Sequence, residues 1–283
     1  MNSSVTVDIP RKSSVIATLL DVLLPHFSHE KRHRHLSSVG VIGALIGYGV
    51  FAAAMYYHNQ VEPASMFTNV VSSLGWGPNG SHEIFKYGLT VVGLVLIPFV
   101  LFLIAKIRSE APPEAYEETV DLTHKAITFW IIAVAGLWTL AWFIDIRVPE
   151  FVDAMAILGV HAVGAFAYFS CSIIGSLYLN KALRISGHPY KLQYAIIAFV
   201  FLCTVGMGIG FVPTYYAGDE LGIYDRIVTE GTNFTLSVEE RIGLISQATK
   251  MAPWGAFCEW MIVLGMLTWF GVTGAQNFFH RRN

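Results

Sequence analysis

The chain has 283 residues, of which 54% are hydrophobic and only 13% charged. A soluble domain carries about 25% charged residues, so the composition argues for one membrane domain with short connections rather than the one or two soluble domains this length would otherwise suit. The net charge of -2 says little about partners; the placement of the charges says more, and nucleic acid is not an expected partner.

The first 36 residues read as a cytosolic tail. Ser14, Thr18, Asp21 and Pro25 recur at helical spacing among Ile16, Leu19, Leu20, Leu23 and Leu24. That pattern predicts a short helix lying on the cytosolic leaflet. The apolar run contains Asp21 and is followed by no small-residue cleavage site, so no cleavable signal peptide is expected. The basic run Lys31-Arg32-His33-Arg34-His35 then flanks the first span.

A spanning helix needs about 20 mostly apolar residues, and six segments supply them. The first is 39–57 and the second 87–105, which contains Gly93 and Pro98. The third, 126–144, carries Trp130, Trp138 and Trp142. The fourth is 151–179, long enough to tilt or to project beyond the hydrocarbon. The fifth is 194–212, and the sixth, 254–274, contains Glu259. Together they predict an all-α polytopic bundle over 37–277 with a small extracytoplasmic cap and a short cytosolic tail at 278–283. Between the fifth and sixth spans, Ser237-Val238-Glu239-Glu240 has the form of a capping box. Val238, Ile242, Ile245 and Ala248 continue it as an amphipathic helix lying against the bundle.

Orientation follows from the basic residues. With both termini cytosolic, only Lys86, Arg147, Arg226, Arg241 and Lys250 of the 18 Lys and Arg fall on the far side. Two glycosylation sequons fall there as well, at Asn79 and Asn233. Cys171, Cys203 and Cys258 all sit in apolar stretches, where they read as small core residues; their spacing builds neither a disulfide framework nor a zinc site.

Ionisable groups inside spans are costly and mark functional sites by default. His161 enters about ten residues into the fourth span, and Glu259 about five residues into the sixth, roughly 15 and 8 Å deep at 1.5 Å per residue. Both fall in the outer half, where a bundle can bring them together. Two readings stand side by side: a polar contact that fixes helix packing, or a site that binds a lipid headgroup or relays a proton. Asp145, Glu150 and Asp153 surround the turn between the third and fourth spans, and Trp142, Trp254 and Trp260 are close to them in depth. These carboxylates, with Trp254 and Trp260, are candidates for an entrance, although a solvated turn and an interfacial aromatic belt explain them too. A zinc hydrolase needs about three ligands, and only one His lies deep in a span. Ser170, Ser172 and Ser176 share a helix with His161, but no nucleophile-elbow pattern accompanies them. No catalytic residue, metal or cofactor is expected.

Three stretches resemble the Frag/DRAM/Sfk family of six-span membrane proteins. They are Ser72-Ser73-Leu74-Gly75 running on to Glu83-Ile84-Phe85-Lys86-Tyr87-Gly88-Leu89; Val160-His161-Ala162-Val163-Gly164-Ala165 followed by Tyr178; and Cys258-Glu259-Trp260 followed by Thr268. The likeness spans roughly 37–280. The chain departs from the family pattern at Pro78-Asn79-Gly80-Ser81-His82-Glu83 and in its long loop between the fifth and sixth spans. The resemblance implies a non-enzymatic multi-pass regulator of the lysosomal or endomembrane system, with membrane lipids and other membrane proteins as partners. A factor that remodels GPI-anchor lipids in the Golgi or endoplasmic reticulum is the alternative, and a small transporter a further one.

Overall fold

The computed structural model describes residues 30–67, 69–144, 151–212, 222, 229, 236–251 and 253–279. The expected interfacial helix of the N-terminal tail lies outside them. Among the described residues there is no strand. The helices are α1 (Glu30–Asn59), α2 (Ser81–Glu110), α3 (Tyr116–Trp142), α4 (Phe151–Ile185), α5 (Lys191–Gly210), α6 (Val238–Met251) and α7 (Pro253–Phe279), with 3-10 turns at Val71–Gly75 and Pro113–Ala115. All but α6 are long and apolar enough to cross a membrane. The protein is an all-α, six-span integral membrane protein.

The helices outrun the apolar stretches that predict them. The third span, expected from residue 126, belongs to a helix that begins at Tyr116; the fourth runs on to Ile185. Hydropathy marks where lipid begins, but a helix keeps forming i→i−4 hydrogen bonds until a cap or a backbone breaker stops it. Here the breakers are explicit. Ala111, forced extended ahead of Pro112, ends α2 (φ -65°, ψ 136°). Gly187, at φ 76°, ends α4 in a Schellman pattern: the His188 amide donates to the Leu183 carbonyl at 2.9 Å and the Gly187 amide to Arg184 at 3.2 Å. The capping box at α6 forms as expected. The Ser237 amide donates to Glu240 Oε2 at 2.8 Å, and the Glu240 amide to Ser237 Oγ at 3.2 Å.

The spans form a ring. α1 packs on α2 and α7, α2 on α3, α3 on α4, and α5 on α7; contact between α4 and α5 is much sparser. In lipid no hydrophobic effect drives helices together, so association depends on close packing and hydrogen bonds. Both appear here. A Cβ on Gly164 of α4 would meet the Leu140 amide of α3 at 2.7 Å, and one on Gly136 would meet the Gly164 carbonyl at 2.7 Å. These helices therefore touch backbone to backbone. An aromatic core links α2, α3 and α7: Trp130 lies 4.9 Å from Phe270 and 6.0 Å from Trp269, and Phe99 lies 5.9 Å from Phe270.

One end of the bundle, the cap end, carries the Val71–Gly75 turn, whose Val71, Leu74 and Gly75 are buried. The opposite end, where α1 begins and α7 finishes, is the basal end.

Candidate functional site

Glu259 stands in the second turn of α7, beneath the cap turn. The Ser72 amide donates to its Oε1 at 3.4 Å, and the Val71 amide and Ser72 hydroxyl also face the carboxylate. These are the first amides of a 3-10 turn, the orphan donors at the positive end of a helical segment. Val70, which precedes the turn, offers no side-chain cap, so a carboxylate from a residue far along the chain does that work. The neighbouring Trp260 fastens the same loop, its indole donating to the Asn69 carbonyl at 2.9 Å. Ser73 Oγ closes the turn onto the Val70 carbonyl at 2.7 Å, and Ser81 Oγ ties it to the start of α2 through the Leu74 carbonyl at 3.0 Å.

His161 does the converse at the end of α3. Its Nδ1 donates to the Leu140 carbonyl at 2.9 Å. Leu140 lies in the last turn of α3, where carbonyls lack partners within the helix. The glycine contact between α3 and α4 is what brings the ring this close, because Gly164 lies one turn beyond His161 and rests on Leu140. A carbonyl can only accept, so Nδ1 carries a proton, and a neutral ring then presents Nε2 as an acceptor.

The two residues meet on one cleft without bonding to each other. Its walls include Ser72 from the cap, Phe85 and Leu89 from α2, Leu137 and Leu140 from α3, His161, Ala165, Tyr168 and Phe169 from α4, and Glu259 and Val263 from α7. About 490 Å³ in and around the cleft is free of atoms, a volume that runs out past its mouth, and the space among the walls themselves is narrow. A cleft this narrow suits a thin chain or a few waters, not a bulky solute. It exists because α4 packs on α3 and hardly on α7, so the two helices that carry His161 and Glu259 stand apart.

The remaining sequence candidates scatter. Trp254 is 68% exposed, stacked edge-on to Phe257 at 6.2 Å. Trp260 departs from the expected belt and entrance: it is 1% exposed and packs on Phe51 at 5.9 Å. One residue rotates a helix by about 100°, so neighbours in depth can face opposite ways. Trp142 is half-exposed, donates to Thr90 Oγ1 at 3.1 Å and carries Lys86 Nζ over its ring at 4.0 Å. Asn79 is exposed, in the left-handed conformation (φ 57°) that Asn tolerates. Asp145, Glu150 and Asn233 lie outside the described residues; Asp153 falls in the first turn of α4, with its side chain outside them. No family model, curated protein or solved structure matches the chain.

A second polar cluster, which the sequence reading passed over, occupies the basal end. Lys106, one of the basic residues that the charge count leaves on the cytosolic side, is buried, its Nζ donating to the Asn277 carbonyl at 3.2 Å. Arg108 is buried as well, its Nε donating to Thr123 Oγ1 at 2.8 Å. His188 Nε2 lies 2.7 Å from Glu110 Oε2, and Trp269 donates to the buried Asn180 Oδ1 at 3.2 Å. The available signal was the spacing of uncharged polar residues. Ser172, Ser176 and Asn180 recur every fourth residue on α4, and Thr273 and Asn277 do the same on α7. These contacts join the basal ends of the spans, and the cluster reads as structural.

Proposed function

We propose that this protein is a non-enzymatic multi-pass regulator of the lysosomal and endomembrane system. It acts through contact with membrane lipid, and the cap-end cleft is the contact site. One observation carries this reading: segments remote in sequence converge on one cleft. Ser72, Phe85 and Leu89, then His161 and Ala165, then Glu259 all line it, and each belongs to a stretch that resembles the Frag/DRAM/Sfk family. A mostly apolar slot with two ionisable groups fits an amphiphile, whose chain lies against the rings and whose head reaches the polar groups. The charge bias and the sequons support an orientation with the cap end facing away from the cytosol.

The test is lipid retention. Ala165→Trp fills the slot from α4. The wild-type protein, purified in mild detergent, is expected to carry a stoichiometric lipid detectable by mass spectrometry, and the variant to lose it while remaining monodisperse. Equal lipid content in both would overturn the assignment of the cleft. Location at native expression level tests the compartment. Lysosomal or plasma-membrane signal agrees with the regulator, whereas Golgi or endoplasmic-reticulum signal together with altered GPI-anchor lipids in null cells would replace it with the remodelling role.

A further inference from the structure

We infer that the amphiphile held in the cleft bears a cationic amine head rather than a phosphate or carboxylate; this rests on the lipid-site reading above. The cap's donors at Val71 and Ser72 are spent on Glu259, so the ionisable groups offer the cleft mainly acceptors. His161 Nδ1 is committed to the Leu140 carbonyl at 2.9 Å, which leaves Nε2 to accept. A carboxylate offers about four lone-pair positions on two oxygens; the Ser72 amide takes one at 3.4 Å, and the Val71 amide and the Ser72 hydroxyl face the others from the same side. Part of its accepting capacity therefore remains open to the cleft.

The described residues supply no counter-ion. Among the described residues no Lys, Arg or His forms an ion pair with Glu259, and Lys86, the cation at the start of α2, is turned onto the Trp142 ring at 4.0 Å. A carboxylate at membrane depth without a full counter-charge is expensive, and a ligand ammonium would supply one while donating to His161 Nε2. Tyr168 is buried and lines the same cleft. An anionic head would meet a carboxylate and a lone pair, a like-charge arrangement that interfaces use to exclude wrong partners. The apolar walls take the chain and the narrow slot favours a single one.

The experiment uses the full-length protein in phosphatidylcholine nanodiscs with two photo-crosslinkable probes of identical chain, a long-chain primary amine and the corresponding alkyl phosphate. The amine is expected to label peptides of α4 or α7 around the cleft at least about tenfold more than the phosphate, the ratio that 1.4 kcal/mol of discrimination gives. Glu259→Gln, which keeps the shape and removes the charge, is expected to abolish that preference. Equal or stronger labelling by the phosphate would overturn the head-group inference and leave the lipid site standing. A preference that survives Glu259→Gln would also overturn it. Labelling of the cleft by neither probe would overturn both.

Discussion

Single residues show what charge alone makes legible. His161 and Glu259 stand out in the sequence because each is costly in lipid, and both line the same cleft. Their actual partners were not legible, because the cap turn and the end of α3 are fixed only by tertiary packing. Packing accounts for one part of each: both residues cap a helical end, and both also face the cleft. His161→Phe leaves the Leu140 carbonyl unpaired and is expected to destabilise the protein by about 1–3 kcal/mol, the cost of a buried acceptor without a donor. The check is thermal unfolding in detergent, with His161→Gln recovering part of the loss if it restores the donor. An unchanged melting temperature in His161→Phe would mean that the bond at 2.9 Å contributes nothing. Trp260→Phe keeps the ring packing on Phe51 and deletes the indole donor to Asn69. Its effect is expected at the loop before the cap turn, read as faster proteolysis or hydrogen exchange around residue 69 with the spans unaffected.

Helices were legible in number, order and type because an apolar stretch of this length has few alternatives in lipid. Their faces were not. A span that is apolar all round gives no amphipathic stripe to orient it, which is why Trp254 and Trp260 read alike in sequence and face opposite ways in the fold. Glycines carry orientation that hydropathy misses. Gly164→Val is expected to force α3 and α4 apart and lower stability by about 1–3 kcal/mol, the usual range for overpacking. It should also carry His161 away from Leu140, so lipid binding and stability fall together. Gly49→Ala is the control: nothing lies within 4 Å of its added Cβ, and the substitution is expected to be neutral or to stabilise by about 0.4–1 kcal/mol through the unfolded chain. Parallel melting curves of the two variants separate a contact glycine from a permissive one; equal losses would refute the distinction.

The molecule as a whole carries two polar clusters, one at each end. At the basal end, Lys106 and Arg108 are buried in protein rather than spread beneath lipid headgroups, so part of the basic bias that suggested the orientation is also part of the packing. That makes a direct test of orientation worthwhile. Asn79→Gln and Asn233→Gln are each expected to lower the glycosidase-sensitive mass of protein from mammalian cells, and a tag after Asn283 is expected to be reachable only from the cytosol. No change for either sequon, combined with a tag accessible from outside, would invert the bundle and place the cleft in the opposite leaflet.

The packing of α1 on α7 has a consequence for biosynthesis. Of these six spans, the first to be made finds one of its principal partners only when the sixth emerges. At translation rates of about 5–20 residues per second, the intervening stretch takes roughly 10–40 s to make. During that interval Gly40, Ala44 and Gly47 of α1, which lie against α2 or α7 in the finished protein, border an unfilled gap. A nascent chain in this state presents a vacant helix-binding face inside the membrane, open to whatever insertion factor or foreign span arrives first. Chains that stop before α7 keep that face uncovered even when every earlier span has inserted correctly.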